Sequence, residues 1–229
     1  MNDWQVVIPS IGPKSNLEQC LESMGEIPVP LLVVDNSPDS FANTMELPKN
    51  ASGEYYPYNL GVAASWNRGL AQGAKWTLIV SSSMRFGGQF TRFIEEASKR
   101  TSAYGLNPRM GLHLYVVGRA MVDEIGIFDP NYWPIYQEDM DYWRRAILAG
   151  ITGCGTSDFP FFQPDYVSCV GDAIALKSGS VKVDFSGNER YMIRKWGMVA
   201  PHTEEAYKTP FNIPGCPLSY FPEPIDRSK

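Results

Sequence analysis

Three short apolar runs, each rich in β-branched residues and each halted by proline or a polar cluster, constrain this chain more than any other feature. They are WQVVIPS (4–10), PLLVVDNSPDS (30–40) and KWTLIVSSS (75–83). Unbroken apolar runs of this length suit strands buried on both faces, the condition of parallel strands covered by crossover helices. Helical spacing fills the gaps between them. In KSNLEQCLESMG (14–25), Leu17, Leu21 and Met24 recur at the helix period, with Ser15 or Asn16 as N-cap and Gly25 as the stop. The first unit therefore reads β-α-β, with parallel strands and a right-handed crossover.

The alternation continues. YYPYNLGVAASWNRGLAQGA (55–74) carries Val62, Trp66, Leu70 and Ala74 on one helical face, and GQFTRFIEEASKR (88–100) carries Phe90, Phe93, Ile94 and Ala97. GLHLYVVGRAMVDEIGIFDP (111–130) reads as a strand through Val117 and a short helix to Gly126, and QEDMDYWRRAILAG (137–150) as a helix that starts acidic and ends at glycine. From Ile151 onward the periodicity weakens and proline and glycine become frequent. The pattern predicts one α/β domain over 1–200 with a mostly parallel central sheet, and an irregular tail over 201–229 that packs on or near the ligand face.

Composition narrows the function. At 229 residues, 44% hydrophobic and 20% charged, the chain can bury a substantial core. A net charge of −5 argues against a general electrostatic grip on duplex nucleic acid or anionic membrane. Cys20, Cys154, Cys169 and Cys216 lie far apart with no CxxC pair, so they read as reduced, mostly buried thiols rather than a zinc site. The N-terminus shows no basic segment before a long apolar run, and no window reaches membrane-span length, so a cytoplasmic protein is expected. Neither G-x-G-x-x-G nor G-x-x-x-x-G-K-[ST] occurs, which argues against dinucleotide binding and P-loop chemistry.

In open parallel sheets, ligands bind outside the carboxyl ends of the strands. Here those ends are Pro9 to Gly12, Asp35 to Asp39 and Ser81 to Arg85, beside the loop before Gly61. These segments resemble the inverting glycosyltransferases of GT-A fold, often called family 2. VVIPSIG is similar to the family's V-I-P-T-Y-N, and LLVVDNSPDS to V-V-D-N-G-S-x-D. NLGVAASWNRGL is similar to N-x-G-x-A-x-A-x-N-x-G. GRAMVDEIGIFDPNYWPIYQEDMDYWRRAILAG is close to the acceptor segment, with its G-x-F-D and E-D-x-D elements. The likeness covers most of the chain, and RYMIRKWG followed by YKTPFN adds a weaker match to bacterial and phage members.

The resemblance implies a Rossmann-like nucleotide-diphospho-sugar transferase domain. It implies transfer of a hexose or deoxyhexose from a UDP or dTDP sugar to a hydroxyl of a saccharide, protein, lipid-linked or base acceptor. Asp139 would be the general base that takes the acceptor proton, and Glu138 would orient it. Pro9, Ser10, Ile11, Asp35, Asn59, Gly61 and Asn67 would line the donor site. Trp133, Tyr136 and Asp141 would face the acceptor, with Tyr132 a further aromatic surface. Asp141 and Arg145, at helical i, i+4 spacing, read as a surface or supporting pair.

One element departs from the family. Where its members carry D-x-D or N-P-D to hold Mn²⁺ or Mg²⁺ against the diphosphate, this chain has Ser81, Ser82 and Ser83. A neutral hydroxyl is a poor ligand for a hard cation. Three readings stay open: a metal-independent site with Ser81, Ser83 and Arg85 at the diphosphate, a weakly held cation helped by His202, or a binding-only homologue. A nucleotidyltransferase is disfavoured, because the glycine-rich loop that holds a triphosphate is missing after the first strand.

Overall fold

The computed structural model describes residues 3–11, 14–37, 45–56, 59–107, 113–151, 155–156, 159, 165–166 and 186–196. The three apolar runs form β1 (Trp4–Ser10), β2 (Leu31–Asp35) and β4 (Trp76–Val80), joined by α1 (Lys14–Met24) and α2 (Val62–Leu70). The polar stretch between β2 and α2 forms a further strand, β3 (Ala51–Tyr55), beside β2. Its residues are all exposed or half-buried, as an edge strand permits, so it lacks the apolar signature of its neighbours.

After β4 come the two-residue β5 (Met84–Arg85), α3 (Phe90–Arg100), β6 (Gly105–Asn107), β7 (Leu114–Gly118) and α4 (Arg119–Ile125). Then follow α5 (Glu138–Leu148), β8 (Gly155–Thr156), β9 (Asp165–Tyr166) and α6 (Ser186–Trp196). The main sheet has the order β3-β2-β1-β4-β7-β6-β8, and β5 pairs with β9 in a separate ribbon. β3, β2, β1 and β4 run parallel, while β7 is antiparallel to both β4 and β6. The sheet is thus mostly parallel, with one reversed strand.

Alternation along each strand sorts the side chains into two cores. Val6, Ile8, Leu31, Val33, Leu78 and Val80 face α1 and α3, where Leu17, Leu21, Phe90 and Phe93 meet them. Val7, Leu32, Val34 and Ile79 face the other way, toward Trp66 of α2, Tyr142 of α5, and Met192 and Trp196 of α6. Gly69 lets α2 lie against β1, since a Cβ there would fall 2.5 Å from Val7 Cβ. Cys20 is a buried free thiol, pushed up to about 12 by its burial. The tail over 201–229, the boundary at residue 200 and the remaining cysteines lie outside the described residues.

Candidate active site

The carboxyl edge of the sheet is knitted together by side chains of the predicted donor segment. Asp35 ends β2 fully buried, and its Oδ1 accepts the Ser37 N–H at 2.8 Å, forming an Asx turn. Asn36 spans outward: its Oδ1 accepts the Leu60 N–H at 2.9 Å and its Nδ2 donates to Ser65 Oγ at 2.9 Å. At the end of β1, Ser10 accepts the Asn36 N–H through its carbonyl. The Ser10 and Ser37 hydroxyls are buried beside this edge with no hydrogen-bond partner among the described residues. Such groups cost free energy unless something pairs with them. Pro9 and Ile11, on either side of Ser10, are half-buried.

The loop before α2 then joins this edge to the expected acceptor segment. Asn59 Oδ1 accepts the Gly61 N–H at 2.8 Å, while the Asn59 carbonyl accepts Trp133 Nε1–H at 2.8 Å. Val62 N–H donates to the Pro134 carbonyl at 2.9 Å. Gly61 has φ 82°, and a Cβ on it would lie 2.9 Å from Trp133 Cδ1 and 3.1 Å from Pro134 O. Both its left-handed backbone and the close approach of Trp133 call for glycine.

Immediately after this junction the chain adopts two successive left-handed conformations at non-glycine residues, Tyr136 (φ 78°) and Gln137 (φ 75°). Strain of about 1–3 kcal/mol per residue of this kind clusters at functional sites. The turn delivers the acid pair to the first turn of α5. Glu138 is 3% exposed and Asp139 half-buried. Burial, then the neighbouring Asp139 charge, pushes Glu138 up to about 8, although backbone N–H groups of Tyr136 and Glu138 donate to it. Burial likewise raises Asp139, against N–H groups of Met140 and its own backbone. Two adjacent carboxyls with raised proton affinity at one helix mouth are groups of the kind that can take part in proton transfer. Beside them, Glu138 Oε2 and Gln137 Oε1 are buried with no partner among the described residues, and Tyr136 is 45% exposed.

The serine loop differs in character. Ser81 Oγ and Ser83 Oγ bond one another at 2.7 Å, and the Ser83 N–H turns onto Ser81 Oγ at 3.3 Å. Arg85, expected at the diphosphate, sends its guanidinium back to α1: Nη2 donates to Gln19 Oε1 at 2.9 Å, and Nη1 to the carbonyls of Met84 and Ser82. Among the described residues no three His, Cys, Asp or Glu side chains converge where they could hold a metal ion. The hydroxyl pair therefore does not fit a resident divalent cation, and His202 lies outside the described residues.

Three expected residues occupy other positions. Asn67 clamps the backbone of Phe128, Nδ2 donating to its carbonyl at 2.8 Å and Oδ1 accepting its N–H at 2.9 Å. Tyr132 is fully buried, its hydroxyl against Asp141 and Met192, rather than an open sugar platform. Asp141 and Arg145 pair at 3.0 Å in the interior, not on the surface, because a second cation joins them: Lys195 Nζ lies 2.6 Å from Asp141 and 2.5 Å from Asp129. Trp196 Nε1 also donates to Asp141 at 2.8 Å. Asp129 and Lys195 carry no sequence signal of this pairing beyond their places in GIFDP and RYMIRKWG.

The fold is of the GT-A type, an α/β domain with a mostly parallel central sheet. No family model matches the chain, and no curated protein sequence does either. Among solved structures, residues 1–349 of TarS from S. aureus in complex with UDP align with a TM-score of 0.51 at 12% identity, over 86% of this chain and 72% of that one. A second structure of the same TarS fragment aligns with a TM-score of 0.50 at 10% identity, over the same shares. No helix of the described residues is long and apolar enough to cross a membrane.

Proposed function

We propose that this chain is an inverting, family 2-like glycosyltransferase that moves a hexose or deoxyhexose from a UDP or dTDP sugar to a hydroxyl acceptor. The observation that carries the reading is the Glu138–Asp139 pair, raised in proton affinity at the mouth of α5 and tied through Trp133, Asn59 and Asn36 to the strand end bearing Asp35. The solution of TarS, a protein of like fold, with UDP supports a uridine-type donor.

In the proposed step, the acceptor oxygen attacks the anomeric carbon as Asp139 takes its proton. The bond from that carbon to the diphosphate oxygen breaks on the opposite face, and the nucleoside diphosphate leaves with the electron pair. Asp139, the more open of the two acids, is the base. Glu138, which keeps its proton at neutral pH, orients the acceptor. Asp35, Ser10, Ile11, Pro9, Asn59 and Gly61 hold the nucleoside side, and Trp133 and Tyr136 the acceptor side. To reach a diphosphate, Arg85 must exchange its bonds to Gln19 and the loop carbonyls. On this reading the enzyme works in the cytoplasm on a saccharide, protein or lipid-linked acceptor.

Ser81 and Ser83 favour one second reading, a nucleotide-sugar or carbohydrate-binding homologue without turnover. Both are tested by assaying transfer from UDP and dTDP sugars, metals supplied, by wild type and by Asp139→Asn. The first reading expects the variant to lose about 10²–10⁴-fold in rate with donor binding intact. Transfer at the wild-type rate by Asp139→Asn would remove the base. Donor binding without turnover by the wild type across a broad acceptor panel would favour the binding module.

A further inference from the structure

Helix α6 touches the acceptor segment at both of its ends. In its first turn Asn188, 4% exposed, donates from Nδ2 to the carbonyls of Ile135 at 2.9 Å and Tyr136 at 3.1 Å. In its last turn Lys195 and Trp196 bond Asp129 and Asp141. Lys195 lies seven positions beyond Asn188 along the helix, about 10 Å at 1.5 Å per residue. The strained turn and the loop that leads into it are therefore held to one rigid rod.

The turn needs such support. A left-handed pair at Tyr136 and Gln137 lacks glycine's freedom, and conformations of this kind persist only where their surroundings over-determine them. Asn188 supplies two hydrogen bonds, one on each carbonyl leading into the pair. The Tyr136 N–H, oriented by the same turn, in turn donates to the Glu138 carboxyl.

We infer that Asn188 is a positioning residue: by fixing the carbonyls of Ile135 and Tyr136 it sets the left-handed turn that buries Glu138 and aims Asp139 out of the mouth of α5. Its contribution to catalysis rests on Asp139 acting as the base, but its grip on Glu138 does not. Asp139 is the charged neighbour acting on Glu138. Further along α5, Asp141 and Arg145 are bound into the cluster with Lys195 and Asp129. Arg144 lies over Trp196 at 4.2 Å, and Glu189 and Arg190, beside Asn188 on α6, are exposed. A change at Asn188 that loosens the turn thus acts on Glu138 through its exposure to water.

The test follows the Glu138 carboxyl by carbon NMR in glutamate-labelled protein, its signal assigned with Glu138→Gln, in wild type, Asn188→Ala and Asn188→Ser. Asn188→Ser keeps one donor and guards against outright unfolding. The proposal expects the Glu138 titration to fall from the alkaline side toward ordinary carboxyl values in Asn188→Ala, and less in Asn188→Ser, with kcat reduced at unchanged donor affinity. A folded variant whose Glu138 titrates as in wild type overturns it, whatever the transfer assay gives. A lowered titration with no loss of kcat would keep the grip on Glu138 and remove the base assignment instead.

Discussion

Glu138 carries a proton that its unfolded counterpart would have given up. Its folded value is pushed up to about 8 from a reference of 4.5, with burial as the main cause. Between those values the folded chain binds more protons than the unfolded one, so this residue's effect is a loss of stability as pH rises, complete above about 8. Glu138→Gln removes the effect. The melting temperature of the variant is expected to gain on the wild type from about pH 5 to about pH 8 and to hold level above it. A difference that stays flat with pH would show that the carboxyl is hydrated. The acid pair was singled out by its E-D-x-D resemblance, and its expected place at the start of a helix agrees with α5 beginning at Glu138. That the first would be sealed and the second half-open was not legible, since this depends on a turn whose two left-handed residues carry no glycine to announce it.

At the scale of elements, α6 and α5 share a charge cluster in which Asp129 and Asp141 face Lys195 and Arg145, with the Lys195 side chain 1% exposed. Removing one member of such a cluster strands the others away from water. Lys195→Met is expected to cost about 3–5 kcal/mol, read as a lowered urea midpoint with the slope unchanged. A loss under about 1 kcal/mol would mean that water reaches the aspartates. Most helices and the central strands were readable because their apolar periods are strong. β3 and β6 were not: ASGEY offers no apolar alternation, and GLN is too short to show any. The reversal of β7 was equally hidden, since an apolar run such as LYVV reads the same for either direction. The Asp129–Lys195 bond joins residues 66 positions apart, and no local pattern marks a contact at that range.

For the whole molecule the first consequence is ligand linkage. A diphosphate that binds only the folded chain raises its stability by about 2.7 kcal/mol at a hundredfold excess over Kd. UDP or dTDP is expected to raise the melting temperature, and the rise to survive EDTA, because the Ser81–Ser83 pair offers a cation little. A rise seen only with Mn²⁺ would point to a ligand beyond the described residues, and no rise with either would count against the nucleoside edge. The reversed strand has a consequence of another kind. β1, β2 and β4 deliver their exits to one rim of the sheet, whereas β7 starts at that rim, where the His113 carbonyl meets the Ser81 N–H, and leaves at the opposite one, beside Lys75. The chain must then travel back through α4 before it can present Glu138 and Asp139. The strand-end segment and the segment around Glu138 are thus built from separate excursions of the backbone, stitched where Asn67 holds Phe128 and Asn59 holds Trp133. Remodelling that preserves those stitches can reshape one of these segments while leaving the other in place.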